Sequence, residues 1–153
     1  MKAFSRTELL LGREAMERLA AARVAVLGIG GVGSYCAEAL VRGGVGEIDL
    51  VDDDRVCPSN LNRQLIATHQ TLGQDKVAVM RRRMQDINPG VRGRDFVLFY
   101  TAESAGEIDL SRYGYVVDAI DTVSAKLKLA QEAAALGVPL ISCMGAGNKL
   151  DPT

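Results

Sequence analysis

The fold of this chain is decided by one stretch, residues 24–33, which reads VAVLGIGGVG. Four apolar residues predict a buried strand, and the glycines after them predict a tight turn into a helix. Glycines at such a turn let the backbone approach a phosphate group, and the free N–H groups at the helix start can bind that anion. We therefore predict a nucleotide-binding loop whose binding residues are Gly28, Gly30, Gly31 and Gly33.

The composition is typical of one globular domain. The chain has 153 residues, of which 48% are hydrophobic, and its formal net charge is −1, which argues against a strongly basic nucleic-acid surface. No apolar run approaches the ~18 residues of a membrane span, and the N-terminus lacks the apolar core of a signal peptide. We therefore expect a cytoplasmic protein with no membrane partner.

Strands alternate with helices along the whole chain. An N-terminal helical segment at 6–22 is followed by strands at 23–27, 48–51, 92–99, 115–120 and 138–143, and by helices at 32–42, 73–87, 101–110 and 124–136. The pattern predicts an α/β, Rossmann-like fold with a mostly parallel sheet and helices on both faces. Ligands of such folds lie at the carboxyl ends of the strands.

The apolar residues of the first helices predict which faces are buried. In the N-terminal segment we expect an apolar stripe of Leu9, Leu10, Met16 and Leu19. In the helix at 32–42 we expect the sheet to be faced by Tyr35, Cys36, Ala39 and Leu40.

An acidic residue ends the second strand. Asp52 lies 19 positions after Gly33, where an acid typically accepts hydrogen bonds from ribose hydroxyls. The alternative is an acidic loop, because Asp53 and Asp54 adjoin it. An NAD-dependent enzyme fits these residues as well as an ATP-dependent one.

The segment after this acid favours ATP. Asn60, Arg63 and Gln64 follow within a long irregular insertion, and Lys76 lies near the start of the next helix. Arginine and lysine are suited to phosphate oxygens, and two cations could stabilise the charge of a leaving pyrophosphate. Hydride transfer does not need them. The alternative for each cation is an ordinary surface charge.

A second acidic residue follows the strand at 115–120. Asp121 is a candidate ligand for Mg²⁺ beside phosphates, since Mg²⁺ prefers carboxylate oxygens. The alternative is a structural helix N-cap. Asp118 is the weaker candidate because it falls inside the apolar run.

These motifs together resemble the adenylating superfamily, which includes the ubiquitin-activating enzymes and the bacterial activators of sulfur-carrier proteins. The resemblance rests on the glycine loop and on the segments 52–64, 73–76 and 118–121. It implies that ATP activates a carboxylate as an acyl-adenylate. By the same resemblance, ribose and phosphates are bound by Asp52, Asp54, Asn60, Arg63, Gln64 and Lys76, Mg²⁺ is bound by Asp121, and Arg6 reaches the ATP of a partner subunit in a homodimer.

Within this superfamily the chain looks most like the tRNA threonylcarbamoyladenosine dehydratases, on the segments 4–10, 28–34, 87–89, 117–121, 145–147 and 151–153. The resemblance implies adenylation of the threonyl carboxylate of the modified tRNA, followed by ring closure. The catalytic residues would be Arg6, Arg63, Lys76 and Asp121. One alternative substrate is the Gly-Gly terminus of a ubiquitin-like sulfur carrier, and two further hypotheses are an NAD-binding redox domain and a nucleotide-binding fragment without turnover.

Several residues receive plainer interpretations. His69 does not follow the Arg-Gln pair as family histidines often do, so we expect a surface histidine. The cysteines Cys36, Cys57 and Cys143 have no Cys-x-x-Cys spacing and are expected to be small buried hydrophobes. We expect residues 81–83, three consecutive arginines, to be solvated and not to form one tRNA-binding stripe. Because the chain stops in a loop, we expect residues 1–153 to be the N-terminal, ATP-binding part of a longer protein.

Overall fold

The computed structural model describes residues 3–144, which form one parallel five-stranded sheet with order β3-β2-β1-β4-β5. The strands are β1 (Arg23–Leu27), β2 (Glu47–Val51), β3 (Asp95–Phe96), β4 (Tyr115–Asp118) and β5 (Leu140–Ser142). The helices are α1 (Ser5–Leu11), α2 (Arg13–Ala21), α3 (Gly33–Gly43), α4 (Lys76–Ile87) and α5 (Val123–Leu136). The predicted α/β, Rossmann-like class with an N-terminal helical segment is confirmed.

Helices cover both faces of the sheet because side chains of β1 alternate between them. Val24 and Val26 face a cluster that contains the buried residues of α3 and α4. Ala25 and Leu27 face a second cluster that contains Leu129 of α5 and residues of the segment 100–113. None of the helices within 3–144 is long and apolar enough to cross a membrane.

The strand order reverses between β1 and β4, and the glycine loop lies at that point. Gly28 has φ +90°, and a Cβ there would lie 2.5 Å from the Ala119 carbonyl oxygen at the end of β4. A Cβ on Gly33 would overlap the Gly28 carbonyl oxygen. These two glycines are therefore required by backbone packing, which brings the loop against β4.

Of the two elements predicted between β2 and β4 at 92–99 and 101–110, the strand is shorter than expected and the helix is wrong. The strand expected at 92–99 shortens to Asp95–Phe96 with an isolated bridge at Arg92. The helix expected at 101–110 is replaced by single 3₁₀ turns at Ala105–Glu107 and Leu110–Arg112. The Ser104 hydroxyl donates to the Phe99 carbonyl at 2.6 Å and accepts the Thr101 N–H at 2.9 Å. Such side-chain bonds offer the backbone an alternative to helix.

The predicted buried faces of α1 and α3 were partly wrong. Leu9 and Leu10 are 88% and 84% exposed, because α1 packs mainly on α2. In α3 Tyr35 and Ala39 are exposed. The residues of α3 that are buried are Gly33, Ser34, Ala37 and Val41. Gly33 packs against the Gly28 carbonyl and Ala119, which follow β1 and β4. This contact fixes which side of α3 faces the sheet.

Candidate nucleotide-binding site

A cavity of about 840 Å³ opens at the carboxyl edge of the sheet. The residues that line it come from the ends of β1, β2 and β4, from the insertion after β2 and from the segment after β3. They include nearly all of the predicted binding residues: Gly28, Gly30, Gly31, Asp52, Asp54, Asn60, Arg63, Gln64, Lys76 and Asp121. Gly33 lies behind the loop, at the first turn of α3.

The glycine loop presents an open backbone to this cavity. A Cβ on Gly30 would meet nothing nearer than Gln64 Nε2 at 3.7 Å, and one on Gly31 nothing nearer than Arg63 Cγ at 3.6 Å. Backbone packing therefore does not require these two glycines, unlike Gly28. They lie just before the start of α3, where N–H groups of a helix lack intrahelical acceptors. This arrangement fits the close approach of an anion.

Asp52 joins the end of β2 to the glycine loop. Its Oδ2 accepts the Ile29 N–H at 2.6 Å, and its Oδ1 accepts the Asp54 N–H at 2.9 Å. Burial raises the pKa of this carboxyl, and the two backbone hydrogen bonds act in the opposite direction. Each oxygen retains a lone pair that can accept a hydrogen bond from a ligand hydroxyl.

The two predicted phosphate cations have different environments. Lys76 is buried at the start of α4, where its Nζ donates to Asp54 Oδ2 at 2.6 Å and lies 3.9 Å from Asp52 Oδ1. Lys76 is thus not the surface charge of the alternative interpretation. Arg63 is exposed beside Gly31, and its Nη1 donates to the Ser59 carbonyl at 2.9 Å. The cavity therefore has one fixed cation and one solvated cation.

The two amide side chains predicted to bind the nucleotide, Asn60 and Gln64, are buried. Asn60 Oδ1 accepts the Cys57 N–H at 3.0 Å, which closes a 3₁₀ turn at Pro58–Asn60. Gln64 Oε1 is buried and has no hydrogen-bond partner in the part of the chain that the structure describes. An unpaired buried polar atom is destabilising. It therefore fits a site that a ligand completes.

Asp121 is exposed at the rim of the cavity. The N-cap residue of α5 is Thr122, so Asp121 is not the structural cap of the alternative interpretation. Among residues 3–144, a group of carboxylates close enough to share a cation is formed by Asp52, Asp53 and Asp54, whose ligand atoms lie within 4.8 Å of one another. The site thus offers oxygen ligands on both sides of the glycine loop.

Arg6 is not among the residues that line this cavity. It is exposed on α1. Phe4, two residues before Arg6, lies near Gly44. Gly44 precedes β2 and therefore lies at the amino edge of the sheet. Since the cavity is at the carboxyl edge, α1 and the cavity of the same chain lie at opposite edges.

Residues that sequence reasoning missed form an apolar part of the cavity wall. Leu98, Phe99 and Tyr100 follow β3 and line the cavity together with Ile120. Burial raises the pKa of Tyr100, whose hydroxyl donates to Glu132. The only available signal was the apolar run at 96–100, which we interpreted as strand.

The remaining predicted residues lie as follows. His69 is exposed, as expected. The cysteines are half-buried and not fully buried as expected, and Cys143 lines the cavity. The Ser59 hydrogen bond lowers the pKa of Cys57. The arginine triplet is not uniformly solvated, because Arg81 is buried. The segments 145–147 and 151–153 lie outside the described residues.

Known proteins match this chain over nearly all of its length. A family model described as the ThiF family matches residues 4–151. The tRNA threonylcarbamoyladenosine dehydratase of Bacillus subtilis is 50% identical over 150 residues, which are 98% of this chain and 59% of that protein. A sulfur carrier protein adenylyltransferase of Thermus thermophilus is 40% identical over 131 residues, which are 86% of this chain and 48% of that protein.

Solved structures agree with this match. The crystal structure of E. coli tRNA N6-threonylcarbamoyladenosine dehydratase in complex with ATP has a TM-score of 0.91 and 40% sequence identity, and the match covers 98% of this chain and 62% of that one. The chain thus spans about three fifths of the length of these two dehydratases. Its sequence motifs, its sheet order and the match over residues 4–151 lead to one conclusion: the chain belongs to the ThiF family.

Proposed function

We propose that this chain binds ATP and contributes the adenylating site of a tRNA threonylcarbamoyladenosine dehydratase. The observation that carries the proposal is that two cations, Lys76 and Arg63, line the same cavity as the open backbone of Gly30 and Gly31. A dinucleotide used for hydride transfer does not need cations there, whereas a leaving pyrophosphate does. The resemblance to an enzyme crystallised with ATP supports the same choice.

The residues of the cavity divide into three proposed roles. Asp52 accepts the ribose hydroxyls, with Asp54 holding Lys76 in place. Phosphate oxygens are bound by the glycine loop at Gly28, Gly30, Gly31 and Gly33 and by Asn60, Arg63, Gln64 and Lys76. Because ammonium and guanidinium groups donate charge-assisted hydrogen bonds, the two cations contribute most where charge develops on the departing pyrophosphate.

We further propose that Asp121 binds Mg²⁺ at the rim. Its carboxylate is exposed to the cavity and takes no part in capping α5. A hard carboxylate together with phosphate oxygens is the ligand set that Mg²⁺ prefers, and bound Mg²⁺ would neutralise phosphate charge.

The proposed chemistry starts at the threonyl carboxylate of the modified tRNA. A carboxylate oxygen forms a bond to the α-phosphorus of ATP as the bond to pyrophosphate breaks. The carbamoyl group then attacks the activated acyl carbon, AMP leaves, and the ring closes with net loss of water. The role of the described residues is to hold the triphosphate in line and to stabilise the leaving group.

We propose that the assembly is a homodimer in which Arg6 serves the partner's cavity. Arg6 is exposed on α1, at the opposite edge of the sheet from the cavity of its own chain. A cation so placed does not line the cavity of its own chain, so we assign it to the cavity of the other subunit, as the resemblance to the adenylating enzymes implies. Together with Arg63, Lys76 and Asp121 it would complete the catalytic set.

A sulfur-carrier protein is the second candidate substrate. The 40% identity to a sulfur carrier protein adenylyltransferase supports it, because such an enzyme would use the same ATP site. The dehydratase is preferred because the B. subtilis relative is more similar, at 50%. A further alternative, an NAD-binding redox domain, is supported by Asp52 and the glycine loop but leaves the two cations without a role.

The test is ATP–pyrophosphate exchange by the full-length protein. We expect exchange to require tRNA that carries threonylcarbamoyladenosine and to be absent with the same tRNA lacking the modification. Exchange that requires a carrier protein with a Gly-Gly terminus would instead support the second candidate. Absence of exchange with either substrate would contradict both.

A further inference from the structure

A buried ion pair lies directly beneath the cavity wall, and the proposed chemistry does not use it. Lys126 Nζ, on the first turns of α5, donates to Asp118 Oδ2 at 2.9 Å, and the two side chains are 9% and 1% exposed. Ser142 Oγ donates to the same carboxylate oxygen at 2.5 Å. Lys126 Nζ also donates to the Cys143 carbonyl at 2.9 Å. We call these residues the Lys126 cluster.

The cluster joins three elements at the carboxyl edge. Asp118 is the last residue of β4, Ser142 is the last residue of β5, and Lys126 belongs to α5. Packing alone does not call for an ion pair here, because apolar residues of similar volume are often as stabilising or more so. Charged groups have the advantage of direction, since each hydrogen bond fixes a particular atom.

The second oxygen of Asp118 acts on the cavity wall itself. Asp118 Oδ1 accepts the Ile120 N–H at 3.1 Å, which holds the turn that leads to Asp121. The Asp118 carbonyl accepts the Cys143 N–H at 2.8 Å. Ala119, Ile120, Asp121 and Cys143 all line the cavity. The cluster thus determines the position of the backbone from which Asp121 projects.

The same turn supports the glycine loop. The Ala119 N–H donates to the Leu27 carbonyl at 2.8 Å, and the Ala119 carbonyl lies where a Gly28 Cβ would be. Displacement of Ala119 would therefore move the loop as well as the carboxylate of Asp121.

We propose that Lys126 is a positioning residue for the nucleotide site, a role that rests on the proposed binding of ATP and Mg²⁺. It acts through Asp118 and the Cys143 carbonyl to hold residues 119–121 in one arrangement, and it does not contact the nucleotide. Without it, the wall loses the charged hydrogen bond to Asp118 and the bond to the Cys143 carbonyl, and Asp121 is no longer held toward the phosphate side of the cavity.

The test compares removal of the Lys126–Asp118 ion pair with removal of a buried hydrogen bond away from the cavity. Lys126→Met leaves Asp118 without its cation, so the double variant Asp118→Asn/Lys126→Met is made beside it to remove the unpaired charge. The control is Tyr113→Phe, which removes a buried hydrogen bond to Asp49 Oδ2 (2.6 Å) on the part of β2 outside the cavity. For each protein the dissociation constant of ATP is measured with Mg²⁺ and with EDTA.

The informative quantity is the ratio of the two constants, because a general loss of stability does not change it. We expect Mg²⁺ to tighten ATP binding in the parent and in Tyr113→Phe, and this enhancement to fall at least about tenfold in both Lys126 variants, which is a coupling of the size typical between linked sites. An unchanged ratio in folded Lys126 variants would overturn the proposal.

A second readout separates this proposal from the proposed function. Amide hydrogen exchange should show faster exchange at Ile120 and Cys143 in the Lys126 variants and unchanged exchange in β2. If the parent binds no ATP, the proposed function fails. The amide hydrogen exchange of Ile120 and Cys143 still decides whether Lys126 positions the cavity wall. Equal protection of Ile120 in parent and variants would contradict the positioning role in either case.

Discussion

Two arginines of this chain show how differently one residue type is used in two regions. Arg81 of α4 lies beside β3, where its guanidinium donates to Asp95 Oδ1 at 2.8 Å and to the carbonyl oxygens of Ile48, Arg92 and Arg94. Arg63 lies at the cavity, exposed, and donates to the Ser59 carbonyl and the Asn62 side chain. Arg81 is buried and uses four of its five N–H donors within the chain, whereas Arg63 is exposed and uses two.

The comparison separates structural from ligand-binding charges by what surrounds them. Around the buried Arg81 the chain supplies four hydrogen-bond partners, so removal of the side chain should affect folding. Around the cavity the partners are incomplete, as the unpaired Gln64 Oε1 indicates, so removal of a side chain should affect binding. Replacement of each kind of residue should therefore change either stability or ATP binding.

Replacement of Arg81 should destabilise the fold and leave ATP binding intact. In Arg81→Met, the carbonyl oxygens of Ile48, Arg92 and Arg94 and the carboxylate of Asp95 each lose one donor, and we expect the free energy of unfolding in urea to fall by about 3 kcal/mol. The neighbouring Arg82 is exposed. Arg82→Met is therefore the matched control and should change stability by no more than about 0.5 kcal/mol. A loss of ATP affinity in folded Arg81→Met would contradict the purely structural role of Arg81.

Replacement of Lys76 should do the opposite. Its hydrogen-bonded partner Asp54 is 66% exposed and remains hydrated when the lysine is removed, and the nearby Asp52 keeps its hydrogen bonds from the Ile29 and Asp54 N–H groups. We expect Lys76→Met to fold and to bind ATP about 100-fold more weakly, as expected for a lost charged hydrogen bond of about 2–3 kcal/mol. Calorimetric titration measures the affinity. The control Lys128→Met, in a pair with Glu132 outside the cavity, should bind ATP as the parent does.

Replacement of Arg63 should give a smaller loss. Because its guanidinium is solvated, Arg63→Ala should weaken ATP binding about tenfold, close to 1.4 kcal/mol, with the thermal midpoint unchanged. Arg82→Ala provides the matched exposed arginine. Equal ATP affinity in the parent and Arg63→Ala would show that an exposed arginine at the rim is only a surface charge.

The smallest effect concerns Glu38, which links α3 to α4. Hydrogen bonding to Arg83, then to Arg42, lowers the pKa of this carboxyl. The stability it contributes is therefore present above its unfolded pKa and is lost as the pH falls through its lower folded pKa. We expect Glu38→Gln to be less stable than the parent at pH 7 by under about 1 kcal/mol.

The pH series provides the check on Glu38. At pH values below both pKa values the parent carboxyl is protonated, so parent and Glu38→Gln should unfold at the same temperature. Glu14→Gln, in an exposed pair with Arg18, should show no such convergence because it starts from no difference. A stability gap that persists at low pH would contradict the ionic origin of the effect.

The sequence predicted the residues that follow strands. Gly28, Asp52 and Asp121 were placed correctly because short apolar runs mark buried strands and parallel strands end at one edge. Leu9 and Tyr35 were placed wrongly, since helical spacing identifies a stripe but not whether another element covers it.

The Lys126 cluster could not be predicted because its members are far apart in the chain. Asp118 and Ser142 are brought together only by the pairing of β4 with β5. A weak signal existed in α5, where Lys126 falls on the same face as the buried residues Leu129 and Ala133. A lysine on a buried stripe indicates a partner without identifying it.

The central claim is that the cavity at the carboxyl edge holds ATP. Its most direct test is calorimetric titration of this chain with ATP in the presence of Mg²⁺, and separately with NAD. We expect one ATP to bind per chain, no heat of binding with NAD, and loss of the heat of ATP binding in Lys76→Met. Tight binding of NAD with no binding of ATP would contradict it.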